Sequence, residues 1–233
     1  MIAAATNHEV SIPVEGAVLA GELTVPIGAC GLVIFAHGSG SSRFSPRNQL
    51  VAKRLRDSGL ATLLFDLLTP DEEAVDNYTR QFRFDIRLLA TRLGRALRWA
   101  KQQPSINELK IGLFGASTGA AAALIAAAEL RDLVEAVVSR GGRPDLAGPF
   151  LARVKAPVLL IIGGRDADVI RLNEVAFAQL DSNKAIEIVP GASHLFEEPG
   201  TLAEAARLSA EWFTRHLAGK ESAQKERLYV GQI

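Results

Sequence analysis

Cysteine occurs once, at Cys30, which excludes an internal disulfide and any zinc site built on cysteine pairs. The four histidines, His8, His37, His194 and His216, are scattered and lack the His-x3-His spacing that puts two ligands on one helix face. Net charge is absent too: 26 Lys and Arg balance 26 Asp and Glu, without the basic surplus that phosphate tracking needs. No long apolar run occurs. The longest uncharged stretch, Ile111 to Ala128, is interrupted by Gly, Ser and Thr and falls short of the roughly 20 residues of a membrane span. Met1-Ile-Ala-Ala-Ala-Thr6 has no basic n-region and too short an apolar run for a signal peptide. These absences point to a cytoplasmic chain, monomer or homodimer, with neither a nucleic-acid nor a membrane partner.

What is present is an ordinary globular composition, 48% hydrophobic and 22% charged over 233 residues. Alternation at Val10, Ile12 and Val14, then Glu15-Gly16, predicts a hairpin returning through Ala17–Val25. From Gly31 to Ala36 the pattern becomes a continuous apolar run, the mark of a strand covered on both faces. Similar runs recur at Ala61–Phe65, Lys110–Phe114, Val134–Val138, Val158–Ile162 and Ala185–Val189. Helical segments fall between them, at Pro46–Asp57, Phe84–Gln103, Thr118–Leu130, Val169–Leu180 and Leu202–Leu217. The expectation is one α/β domain over residues 1–218. It has a mostly parallel sheet of about eight strands opened by an antiparallel hairpin, helices on both faces and no cap domain. Residues 219–233 read as a polar extension.

Ligands of such sheets bind at the carboxyl ends of the strands. There, Gly115-Ala116-Ser117-Thr118-Gly119 fits Gly-x-Ser-x-Gly, between an apolar strand and an Ala-rich helix, the context a nucleophile elbow requires. A serine hydroxyl needs a base. His194, after the last apolar strand, is the candidate, whereas His8 and His216 read as surface residues. The imidazole in turn needs a carboxylate. Asp166 follows the Val158–Ile162 strand and gives the chain order Ser117, Asp166, His194; Asp168 is the alternative, and Asp66 reads as a loop or capping residue. Oxyanion donors are expected from the backbone N–H of Thr118 and of Ser39 in the loop His37-Gly-Ser-Gly-Ser-Ser42. His37 reads as a brace for that loop. Neither a metal nor an organic cofactor is called for.

Together these residues resemble the α/β-hydrolase superfamily. The short capless form, His37-Gly-Ser-Gly40 and Gly191-Ala-Ser-His194-Leu-Phe-Glu197 are similar to its dienelactone-hydrolase-like branch. The resemblance implies that Ser117, Asp166 and His194 form a triad acting on a small carboxylic ester. One departure is that the name-giving enzymes of that branch carry cysteine at the elbow and this chain carries serine. Some members of the branch are fused to a phosphoribosyltransferase-like domain. Thioester or amide cleavage, acyl transfer, and a non-catalytic binding or partner role remain as alternatives.

Between Val138 and Val158 lies Arg140-Gly-Gly-Arg143-Pro-Asp145. Two readings stand side by side. An arginine is ion-paired to Asp145, which opens a short helix, or Arg140 or Arg143 recognises a carboxylate or phosphate on the substrate. Arg43 and Arg47 share that ambiguity.

Overall fold

The computed structural model describes residues 6–218; the expected extension at 219–233 lies outside them. Strands β1 (Thr6–Val14) and β2 (Ala17–Val25) pair antiparallel, and alternation sends Ile12 inward while Ser11 and Pro13 stay exposed. Strands β3 (Leu32–Ala36), β4 (Ala61–Phe65), β5 (Ile111–Ala116), β6 (Ala136–Arg140) and β7 (Val158–Gly163) are buried along their whole lengths, as continuous apolar runs require. The last strand, β8 (Lys184–Val189), departs from that reading. It is the sheet edge, and only Val189 is buried.

The eight strands form one sheet in the order β1-β2-β4-β3-β5-β6-β7-β8, antiparallel only at β1–β2 and β2–β4. Chain order reverses around β3, so the switch-point crevice opens between the ends of β3 and β5. On one face, helices α1 (Pro46–Asp57) and α6 (Thr201–Leu217) pack Val51, Leu55, Phe213 and Leu217 against Val33, Phe35 and Phe114. On the other, α3 (Ile86–Ala100), α4 (Thr118–Glu129) and α5 (Ala167–Gln179) cover Ile34, Leu113 and Leu160. Helix α3 is shorter than expected, because Asp85 caps it by accepting the Leu88 N–H at 2.9 Å.

Helix α2 (Pro70–Thr79) was not expected, although its start was legible. Thr69 accepts the Glu72 N–H, Glu72 accepts the Thr69 N–H, and Pro70 opens the first turn, a complete capping box. Only Asp76 is buried within it, so α2 carries no apolar periodicity to reveal it. His216 also departs from its expected surface role. It is half-buried against Trp212, ring centroids 4.6 Å apart, and burial lowers its pKa. Among the described residues no helix is long and apolar enough to cross a membrane, and no group of three or more His, Cys, Asp or Glu could hold a metal.

Candidate active site

Ser117 joins β5 to α4 with φ 50° and ψ −122°, a conformation that costs a non-glycine residue on the order of 1–3 kcal/mol. Its neighbours hold it there. The Ser117 N–H donates to the Arg140 carbonyl at 3.3 Å, and its own carbonyl accepts from Ala120 and Arg143, each at 3.1 Å. The flanking glycines are a packing requirement. A Cβ on Gly115 would sit 2.4 Å from the Ala120 Cα, and one on Gly119 would sit 2.2 Å from the Ala36 carbonyl oxygen. Only hydrogens let helix, strand and the end of β3 approach this closely. The serine thus stands at the N-terminus of α4, where helix N–H groups favour negative charge.

Asp166 follows β7 and occupies the N-cap position of α5, yet its carboxylate makes no capping hydrogen bond. It is given to His194 instead: Nδ1 lies 2.6 Å from Asp166 Oδ2. A carboxylate accepts at Nδ1–H, so in the neutral imidazole the lone pair is on Nε2, which can take a proton. Asp168 is paired outward with Arg171 and is largely exposed. The two loops carrying Asp166 and His194 are bound to each other. The Arg165 N–H donates to the Ala192 carbonyl at 2.9 Å, the Ser193 N–H donates to Glu198 at 2.8 Å, and Arg165 pairs with Glu198. The Ser193 N–H, with Arg165 in support, holds the Glu198 carboxyl down to about 2. Glu198 had not been singled out; a glutamate in a loop gives no local signal of such a clamp.

The loop after β3 lies against the elbow. Ser39 Oγ and Thr118 Oγ1 are 2.9 Å apart, so the two residues expected to supply oxyanion N–H groups are linked through their side chains. Thr118 is the first residue of α4, and its N–H has no intrahelical acceptor. His37 Nε2 accepts the Leu67 N–H at 3.0 Å, and burial holds its pKa below the ordinary histidine value. That nitrogen is occupied, and the bond ties His37, at the start of the loop after β3, to Leu67 just beyond β4. Asp66 anchors the same loop by accepting the Arg43 N–H at 2.7 Å and pairing with its guanidinium. On the outer side, Arg83 packs beneath Gly40 and is held by the buried Asp76 of α2.

Ser117, His194, Ser39, Arg47, Asn48 and Arg140 line one open cleft with about 240 Å³ of free volume. Arg143 is engaged elsewhere. Its Nε and Nη2 reach the two Asp145 oxygens, each at 2.8 Å. Asp145 then opens a kinked 3₁₀ stretch, Pro144–Arg153, in place of a folded cap. Asn48 was not expected here, since an asparagine on a helix face reads as a solvated residue.

Sequence and structure comparisons agree with this architecture. The pattern of the dienelactone hydrolase family matches residues 17–218. Curated relatives from Mycobacterium tuberculosis, whose names read phosphoribosyl transferase, are 54% identical over 213 residues, covering 91% of this chain and 47% of theirs. The chain therefore spans about half the length of the curated relatives it matches. A crystal structure of dienelactone hydrolase from Anabaena variabilis superposes with a TM-score of 0.90 at 56% identity, covering 91% of this chain and 99% of that one. Est1E from Butyrivibrio proteoclasticus shares the fold, with a TM-score of 0.75 at 18% identity over 89% of this chain and 98% of its own.

Proposed function

The chain belongs to the dienelactone hydrolase family, and from that premise we propose that it is a serine hydrolase cleaving a small carboxylic ester through a covalent acyl-enzyme. The observation that carries this reading is a strained, glycine-flanked Ser117 sharing one cleft with a His194 already oriented by Asp166. A purely binding role has no use for that strain or for an imidazole held with Nε2 free.

In this mechanism Ser117 Oγ attacks the ester carbonyl carbon while its proton passes to His194 Nε2. The hydrogen bond between the two forms in the substrate complex, as is common in enzymes that are free in the crystal or in solution. The carbonyl oxygen becomes an oxyanion and is held by the N–H groups of Ser39 and Thr118. Collapse breaks the bond to the alcohol oxygen, which takes the proton from His194. Water then attacks the acyl-Ser117 carbonyl and gives its proton to His194, and the second collapse returns that proton to Ser117 as the acid leaves. Asp166 stabilises the imidazolium in both halves. No step calls for a metal or an organic cofactor.

The unit responsible is residues 1–218. The transferase name of the curated relatives goes with proteins about twice as long as the matched region. With no folded cap over the cleft among the described residues, long acyl chains gain little of the roughly 0.8 kcal/mol per methylene that burial provides. Short-chain esters are accordingly the preferred substrates. A fluorophosphonate probe should label the wild type and not Ser117→Ala, and a p-nitrophenyl ester series should show kcat/KM falling with chain length. Equal labelling of the two proteins would end the nucleophile assignment.

A further inference from the structure

We propose that Arg140 and Arg47 form a phosphate-binding subsite beside Ser117, and that the ester hydrolysed here carries a phosphate group. This rests on the hydrolase reading above and deepens it from a reaction to a substrate class.

Arg140 ends β6, and its carbonyl accepts the Ser117 N–H, so its backbone is directly beside the nucleophile. The residue is only 6% exposed, and its side chain runs along the α1/α6 face of the sheet, with the guanidinium 5.7 Å from the Phe196 ring centroid. Nε and Nη1 are sealed from solvent and meet no acceptor among the described residues. A buried guanidinium without a carboxylate is costly, and structural arginines in interiors are normally ion-paired and hydrogen-bonded. Arg92 of this chain is the internal contrast, being equally buried but held by both oxygens of Glu72 and by the Leu67 carbonyl. Burial, with Arg47 nearby, pushes the Arg140 pKa down to about 10, which still leaves it charged at neutral pH.

Its surroundings add positive charge. Arg47 lies in the first turn of α1 and finds only the exposed Glu197, at 3.5 Å. The N-terminus of α1 meets the same cleft through Ser45, Arg47 and Asn48, and among the described residues no carboxylate lines it. Two guanidiniums, of which Arg47 pairs with an exposed Glu197 and Arg140 with no carboxylate among the described residues, beside a helix N-terminus match a dianion better than a monoanion. A phosphate monoester is dianionic above about pH 7, whereas a carboxylate brings one charge.

The test uses inorganic phosphate at pH 8 and constant ionic strength, with two readouts. Phosphate should raise the thermal midpoint of the wild type and inhibit p-nitrophenyl acetate hydrolysis competitively. In Arg140→Met the inhibition constant should rise at least about tenfold and the phosphate-induced shift should vanish, as expected when one partner of a charge-assisted contact is removed. Without phosphate, the midpoint of Arg140→Met should be at or above wild type, because a buried unpaired charge is gone. Should Arg140→Met not fold, Arg47→Gln, at a more accessible position, should weaken inhibition several-fold. Arg143→Ala should keep the wild-type inhibition constant. Phosphate without effect on the wild type, or with the same constant in Arg140→Met or Arg47→Gln, would overturn the subsite. Protection by succinate equal to that by phosphate would overturn the phosphate preference. The midpoint shift should persist in Ser117→Ala, so loss of the hydrolase reading and loss of the subsite register separately.

Discussion

The hydroxyls of Ser39 and Thr118 meet at 2.9 Å, tying the loop after β3 to the first turn of α4. The two backbone N–H groups proposed to hold the oxyanion therefore belong to residues fixed to each other before substrate arrives, which is the preorganisation electrostatic catalysis depends on. Replacing Thr118 by Val removes this tie and keeps the side-chain shape. A hydrogen bond of about 0.5–1.5 kcal/mol spent on positioning corresponds to a fall in kcat of up to roughly tenfold. KM should change little, and Ser39→Ala combined with Thr118→Val should be no worse than either alone. Additive losses in steady-state kinetics would separate the two residues.

The strain at Ser117 gives a second prediction. Ser117→Ala keeps the positive φ, so its thermal midpoint should stay near wild type while turnover falls on the order of 10³-fold or more. Ser117→Gly loses the same activity but relaxes the backbone, and should melt about 2–4 °C higher for a net gain near 1 kcal/mol. Calorimetry on the two variants checks the sign. Equal midpoints would mean that no strain is stored at the elbow.

Asp166 and Asp168 are two residues apart and should behave oppositely. Asp166→Asn keeps the shape but reverses the tautomer preference of His194, which should lower kcat by about 10⁴-fold. Asp168→Asn loses only an exposed pair with Arg171, and kcat/KM should not move. Comparable losses in both would withdraw the assignment of Asp166.

His37 links stability to pH. Its folded-state pKa is lowered by burial, and Nε2 must remain unprotonated to accept the Leu67 N–H. A lowered histidine contributes stability that is fully present above the unfolded value of about 6.5 and is lost as pH falls from there toward the folded value. The half-buried His216 is shifted the same way and adds to the slope. The lowered carboxyls of Glu72 and Asp76 act in a separate, more acidic window, below the unfolded carboxylate values of about 3.9–4.3. Urea titrations from pH 7.5 to 5 should show falling stability, with a shallower fall in His37→Gln. An unchanged slope in that variant would remove His37 from the linkage.

Much of the fold was legible because its signals are local. Buried strands appear as continuous apolar runs, and the elbow appears as glycines exactly where strand and helix must touch, since a Cβ at Gly115 or Gly119 would collide with backbone. Helix α2 was hidden because it packs through ion pairs, Glu72 to Arg92 and Asp76 to Arg83, rather than through an apolar face. β8 carries the composition of an inner strand but sits at the edge, a fact that depends on what lies beside it.

The order Ser117, Asp166, His194 at the carboxyl ends of three strands follows from sequence alone, because strand-then-turn patterns depend on neighbouring residues. Which arginine faces the cleft does not. Arg140 and Arg143 are three residues apart and chemically alike, but Arg140 still belongs to β6. There the pleat sends its side chain to the face shared with Ala136 and Val138, beneath α1 and Phe196. Two glycines later the strand has ended, and Arg143 meets Asp145. The side of the sheet a residue occupies, and whether a counter-charge waits there, are set by long-range packing, so only the tertiary structure could leave one of these cations unpaired beside the nucleophile.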